Sequence, residues 1–341
     1  MASQDYDYSA FSRRFTALEI YQHFRLYGSM AALKLIGVGS IVLMTALAVL
    51  WMGVGLTTGI RSATGEHIAL WQSIATWCLG IGTVGFVVWA SVRSIARAVT
   101  TSLRLKAFAE SNGLGFSEET RQGENPGLIF QYGDSHRIVR GLTLNDQAGT
   151  IIANYRYMTG SGKSRQAHYH GFVRITLSRQ LPQVLLDAVS NNFLGKISNF
   201  ADVDNNQRID LEGDFNNYFQ AYAPVDYGPD TLYWLTPELM QLLIQYLGEY
   251  DIEVVDNYVY LYRGGEFTFD EATTRNLIGL GQWLYAEFEQ NTRRYSDERV
   301  GSFAANAVAK PGRRLKRSIG WWFVIFWIIY FVVRIVLIFR D

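Results

Sequence analysis

Apolar residues fall into three long blocks, and elsewhere they alternate with polar ones. Leu35–Ile60 and Ile68–Val92 carry no Asp, Glu, Lys or Arg, and 319–339, IGWWFVIFWIIYFVVRIVLIF, is interrupted only by Arg334. A helix crossing the hydrocarbon core needs about 20 such residues. The pattern predicts transmembrane helices over 33–60, 68–92 and 319–339. A buried core helix is the ordinary competitor, but a helix apolar all round that opens with two Trp belongs at a bilayer interface. Arg334 lies near the end of its block and either snorkels to the headgroups or stands as an intramembrane functional charge.

Upstream, Ser9–Gly28 places Phe11, Phe15, Leu18, Ile20 or Tyr21, and Phe24 at helical spacing, with Arg13, Arg14, Glu19 and Arg25 elsewhere. Residues 1–32 therefore read as an amphipathic segment lying on the inner leaflet or on the soluble domain, with a partner helix as the alternative. After the second block the helix is expected to continue as a connector over 93–115, stopped by NGLG. LIFQY, HRIVRGLTLN, TIIANYRYM and HYHGFVRITL then follow as β-rich runs separated by Gly, Asn and Asp, the pattern of antiparallel hairpins; QVLLDAV and RIDLEG are further strands. Thr236, Pro237 and Glu238 open a helix that Gly248 stops, and Asp270 opens another through Leu277, Leu284 and Phe288. Between them, IEVVD and YVYLYRG read as a hairpin turning at Asp256 and Asn257. The fold class is α+β: three transmembrane helices and a domain over 116–290 with a mostly antiparallel sheet and packed helices. Residues 291–318 read as a basic tether to the third span.

Charge adds an orientation. Arg13, Arg14, Arg25 and Lys34 precede the first block, Arg93, Arg97, Arg104 and Lys106 follow the second, and KPGRRLKR precedes the third, whereas the loop RSATGEH has one Arg and one Glu. By the positive-inside rule the N-terminus and the domain are cytoplasmic and the C-terminus is outside, making a multi-pass cell-membrane protein. A cleaved signal peptide is not expected, because more than thirty residues with several Arg precede the first block. The net charge of zero hides a partition: Ala107–Ala309 holds 26 Asp and Glu against 15 Lys and Arg. An acidic domain disfavours nucleic acid as a partner, and basic flanks favour membrane lipids. Cys78 is the only cysteine, so no disulfide or cysteine zinc site forms within one chain.

Three stretches raise candidate chemistry. In YMTGSGKS, Tyr157–Ser164, the ending matches a phosphate loop, but Tyr157 stands where the first Gly belongs and a strand period follows, so the reading is a hairpin tip. DVDNNQRIDLEG, Asp202–Gly213, imitates a calcium loop but has Gln207 for the turn Gly and Gly213 for the closing Glu, and reads as a polar turn. His168 and His170 flank Tyr169 on one strand and face one side; they are either exposed hairpin residues or two ligands of a zinc site needing a third from elsewhere. Neither a nucleophile motif nor a paired-carboxylate motif stands out, so no catalytic or cofactor-binding residue is assigned.

The stretch LEGDFNNYFQAYAPVDYGPDTLYWLTPELMQLLIQY, Leu211–Tyr246, resembles the bacterial membrane-protein family catalogued as domain of unknown function 3137, and LPQVLLDAVSNN and IEVVDNYVYLYRG are compatible with it. The resemblance covers about half the chain. It implies paired transmembrane segments before a soluble domain and carries over no catalytic residue; the third apolar block has no counterpart in it. The expected function is a non-catalytic binding or scaffold module with a protein partner, a small ligand or a second copy of itself. The alternatives are a membrane-associated metal-dependent hydrolase using His168 and His170, and a transporter or channel subunit.

Overall fold

A computed structural model describes residues 5–27, 39, 41, 44–46, 48, 51, 70–123, 125–191, 203–211, 213–317 and 330. The expected spans 33–60 and 319–339 lie almost wholly outside the described residues. The chain divides into two compact units, Met1–Asn112 and Gly113–Asp341.

In the first unit the amphipathic stretch is not one helix. A 3-10 turn, Ser9–Ser12, precedes α1, Ala17–Tyr27. The break is local chemistry: Thr16 Oγ1 accepts the Glu19 N–H at 3.3 Å while Glu19 Oε2 accepts the Thr16 N–H at 2.7 Å, a reciprocal capping box. Helix α2, Leu70–Ser111, runs for 42 residues, so the expected second span and connector are one continuous helix. Its last turns are covered: Phe108 is fully buried, with its ring 5.1 to 6.2 Å from those of Tyr6, Tyr8 and Phe11. The N-terminal aromatics thus pack on α2. Among the described residues, Trp77–Ser111 is the one helix long and apolar enough to cross a membrane.

The second unit is α+β with a mostly antiparallel sheet; every described strand pair is antiparallel, and a lone parallel bridge joins His170 to Gly265. Its strands are β1 (Gly115–Arg121), β2 (Asp134–Thr143), β3 (Ile151–Thr159), β4 (Gln166–Ala188), β5 (Arg208–Ile209), β6 (Phe219–Tyr222) and β7 (Asp251–Gly264). The order is β1-β2-β3-β4-β6-β5, and β7 runs along the other edge of β4. Helices α3 (Gly228–Trp234), α4 (Pro237–Leu247) and α5 (Glu271–Thr292) complete it. Thr236 and Asp270 cap α4 and α5 as expected, accepting the N–H groups of Leu239 and Thr273.

Three expectations about the strands need correction. IEVVD and YVYLYRG do not form a hairpin: β7 is one strand, and Asp256, at φ +55°, lies opposite a bulge in β4, whose extra residues fall where the ladder passes from Thr176↔Tyr258 to Leu181↔Asp256. HYHGFVRITL and QVLLDAV merge in the same way into the 23-residue β4. LIFQY is a 3-10 turn, Leu128–Gln131, because all three of its apolar residues plug one face of the sheet.

That face carries Tyr155, Phe172, Tyr260 and Tyr262 under the 128–131 turn. On the other, α5 packs with Leu277, Ile278, Leu284 and Phe288 buried, and Gly281 lets it approach Thr150 and Val173. The domain does not end at Gln290. Of the expected tether 291–318, residues 293–317 form a docked strap with Tyr295, Asp297, Val308 and Leu315 all buried. The β4 bulge helps to hold it: Asn306 Oδ1 accepts the Gln180 N–H at 2.9 Å, and Asn306 Nδ2 donates to the Ser178 carbonyl at 3.0 Å. Bulged backbone groups have no ladder partner, so a side chain must satisfy them.

Candidate functional site

The GSGK stretch is the tip joining β3 and β4, as expected. Gly160 and Gly162 take φ +77° and +56°, and Gly162–Ser164 is a single exposed 3-10 turn before a strand. With no helix there, phosphate would meet no row of free N–H groups. The false calcium loop is also a turn: Asp204 Oδ1 accepts the Asn206 N–H at 3.1 Å, and Gln207, buried at 2 % exposure, uses its amide on the backbone of Lys316.

His168 and His170 share one side of β4, opposite Tyr157 and Tyr155 in the register. Both imidazoles lie nearly parallel to the Tyr157 ring, with centroids 4.9 and 5.8 Å from it. His168 Nε2 lies 2.7 Å from Thr159 Oγ1. Burial, with a smaller contribution from neighbouring His168, pushes the His170 imidazole down to about 4. His136 reaches the same aromatic row, its Nδ1 lying 2.6 Å from the Tyr155 hydroxyl. Among the described residues no group of three or more His, Cys, Asp or Glu is placed to hold a metal ion. The pair's visible chemistry is ring stacking at the edge of an aromatic face.

Further along that face is a group the sequence reading missed. Glu253 on β7 is fully buried opposite Leu185 of β4. Its Oε2 accepts the Leu128 N–H at 2.8 Å and the Tyr262 hydroxyl at 2.7 Å, and its Oε1 accepts from Gln183 Nε2 at 2.6 Å. Burial nevertheless pushes its carboxyl up to about 7, because loss of hydration outweighs the three donors and the more distant Arg314. The only signal in the sequence was a Glu inside the apolar run IEVV, and an alternating strand pattern makes such a residue look solvated.

A cleft of about 740 Å³ lies between α3 and the strap, lined by Asp230, Tyr233, Arg294, Tyr295, Glu298 and Arg299 among others. Its floor is internally compensated. Asp230 accepts from the Tyr295 hydroxyl at 2.8 Å and from Arg299 Nη1 at 3.0 Å, and the Arg299 guanidinium lies 4.0 Å over the Tyr227 ring. Beneath it, buried Asp297 accepts the Tyr227 hydroxyl and the N–H groups of Ala309 and Arg299. Burial opposes ionisation of Asp297, but these donors prevail and hold its carboxyl below the usual range. The same burial and pairing push the Tyr227 phenol up to about 12. The rim differs: Arg294 and Glu298 are exposed, and Tyr233 is 57 % exposed. The cleft thus combines a fixed floor with an aromatic and two opposite charges at its rim.

Comparison with family models and with curated proteins gives no match. Among solved structures, the chain has a distant likeness to the crystal structure of the mycobacterial trehalose monomycolate transport factor A. The TM-score is 0.35 and the identity 10%, over 53% of this chain and 93% of that one.

Proposed function

We propose that the protein is a membrane-anchored, non-catalytic binding module whose α+β domain takes a protein or small ligand in the cleft between α3 and the strap. The observation that carries this reading is α2: its apolar window has mean hydropathy 1.5 and is only 6% buried, so its Leu79, Phe86 and Trp89 lack the protein cover a core helix would have. In this reading 33–60 and 319–339 are the other two spans, and the domain and N-terminus are cytoplasmic. Arg14 and Arg25, beside the exposed Leu18 and Tyr21 of α1, suit an anionic leaflet. The resemblance of Leu211–Tyr246 to the domain of unknown function 3137 family accords with it.

The test combines topology and contact. Reporter fusions at Lys163 and after Asp341 are expected to report cytoplasm and exterior. A photo-crosslinker at Tyr233 in intact membranes is expected to give an adduct that the same probe at Tyr246, also exposed but outside the cleft, does not give. Reversed reporters would overturn the orientation. Equal labelling at the two tyrosines would overturn the cleft, and substrate turnover abolished by one polar substitution would overturn the non-catalytic reading.

A further inference from the structure

Residues 310–317 hold five Lys and Arg and no Asp or Glu, directly after a stretch in which acids outnumber bases. The domain fixes the backbone that carries them. Gly312 is pressed inward, where a Cβ would lie 2.4 Å from the Tyr227 ring and 2.8 Å from Val308, and Leu315 enters the aromatic core. Gln183 Oε1 accepts the Leu315 N–H at 2.6 Å, Gln207 holds the N–H and the carbonyl of Lys316, each at 2.8 Å, and Arg317 bridges to Val203. Lys310, Arg313, Lys316 and Arg317 remain exposed. A loose linker would lose entropy on presenting these cations together; here the backbone is already ordered by folding.

Three of these charges are open. Among the described residues Lys310, Arg313 and Lys316 form no ion pair, and of the three only Arg313 bonds through its side chain, donating from Nε to the Val308 carbonyl at 2.7 Å. The acids close by are engaged: Asp256 holds Arg314 through two contacts at 2.9 Å, Asp210 lies 3.7 Å from Arg208, and Asp204 accepts the Asn206 N–H. Arg317 stands 4.5 Å over the Tyr132 ring, and an amphipathic ring beside cations suits the headgroup level of a bilayer.

We propose that Lys310, Arg313, Lys316 and Arg317 form a surface that docks the domain on anionic phospholipid headgroups. Lipid is the occupant because one residue separates Arg317 from the apolar 319–339; the inference rests on reading that block as a span, which puts this face at the bilayer surface. Ammonium and guanidinium groups pair with lipid phosphates, whereas the acidic remainder of the domain is repelled by the same leaflet. The domain therefore sits on the membrane by one face instead of hanging from a tether.

Lipid charge provides the test. The full chain carries a fluorophore at Pro311→Cys, an exposed position, in a Cys78→Ser background. It is placed in nanodiscs with a headgroup-nitroxide lipid as quencher, made of phosphatidylcholine alone or with about one-third phosphatidylglycerol. Quenching is expected to be strong with phosphatidylglycerol, weak without it, and to fade in about 0.5 M salt, where charges are screened within a few ångströms. Each Lys or Arg near an anionic surface is worth about five-fold in the docking equilibrium. Lys310→Gln, Arg313→Gln and Lys316→Gln together are thus expected to shift it toward the undocked state by on the order of 100-fold. Removing three exposed cations elsewhere, by Arg263→Gln, Arg275→Gln and Arg293→Gln, is expected to leave quenching unchanged.

Should the strap triple variant fail to fold, Lys310→Gln with Lys316→Gln keeps the Arg313 bond to Val308 and is expected to give a shift on the order of 25-fold. Quenching indifferent to phosphatidylglycerol overturns the docking, and so does an equal loss in the two triple variants. Energy transfer between Pro311→Cys probes on two copies, with no quenching by lipid, would make the face an interface between copies and overturn the lipid occupant. A reporter after Asp341 that reads cytoplasm overturns the span reading alone, and quenching that depends on phosphatidylglycerol would still support the docking.

Discussion

A half-buried imidazole and a fully buried carboxyl on the same sheet face pull stability in opposite directions with pH. The His170 imidazole is held down at about 4 against an ordinary 6.5, so between those values the unfolded chain binds more protons and stability rises with pH; its contribution is complete above 6.5 and is lost as pH falls toward 4. Glu253 is held up at about 7 against 4.5, so there the folded chain binds more protons and stability falls as pH rises. The two slopes offset each other between 4.5 and 6.5. His170→Gln is expected to remove the rising slope and leave a net fall across that window, measured by urea denaturation at half-unit pH steps; a variant whose profile matches wild type would refute the assignment. Packing around Glu253 is tight for a reason visible at Gly127. A Cβ there would lie 2.2 Å from the Tyr262 hydroxyl and 3.2 Å from Glu253 Oε2, so only glycine lets the 128–131 turn present its N–H.

At the level of elements, bulges and caps decide where the chain turns. The β4 bulge exposes the Ser178 and Gln180 backbone, and α5 and the strap both respond. Glu289 at the end of α5 accepts the Ser178 N–H and hydroxyl, and Asn306 takes the remaining carbonyl and N–H. Asn306 sits at φ +42°, a conformation glycine adopts as readily. Asn306→Gly therefore isolates the side-chain bonds from backbone strain. It is expected to cost about 1 kcal/mol of stability by chemical denaturation, the net worth of one part-buried and one exposed hydrogen bond. No measurable loss would mean that water replaces Asn306 freely. The N-terminal segment illustrates the opposite case. Periodicity alone runs unbroken from Phe11 to Phe24, yet the capping box at Thr16 and Glu19 starts a fresh helix, and the aromatic ring packing on Phe108 uses Phe11 ahead of it. The signature T-A-L-E was present in the sequence but was outweighed by the apolar spacing.

Over the whole molecule, the boundary at Gln290 separates two testable pictures. If 291–317 were a tether, a fragment of residues 113–290 would fold. Because Tyr295, Asp297, Val308 and Leu315 are buried and Asp297 alone accepts three hydrogen bonds, that fragment is expected to be unfolded by circular dichroism and urea titration, whereas 113–317 folds cooperatively. A cooperative transition in the shorter fragment would restore the tether. The basic residues that suggested a membrane-proximal linker in KPGRRLKR are not uniformly solvated: Arg314 pairs with Asp256, and Arg317 stands 4.5 Å over the Tyr132 ring.

The sequence by itself determined what depends on local composition and short spacing. A 42-residue helix with an apolar half, the antiparallel strand runs, the Thr236 and Asp270 caps and the glycine hairpin tip at 160–162 all follow from residues a few positions apart. So do the failures of the two false motifs, since a phosphate loop needs a helix after it and a calcium loop needs its closing Glu. Tertiary structure decided whatever required distant residues to meet. Four predicted strands became two long ones across one irregular stretch of the β4–β7 ladder: on β7 a positive-φ aspartate reads locally as a turn, on β4 the extra residues are bulged, and only the partner strand shows that the ladder continues. The tether became a strap because Gln183 and Gln207, more than a hundred residues away in sequence, supply the groups its backbone needs. Glu253 carries no mark in its neighbours; burial by a turn and strands contributed from elsewhere removes its water, and loss of water is what moves its proton.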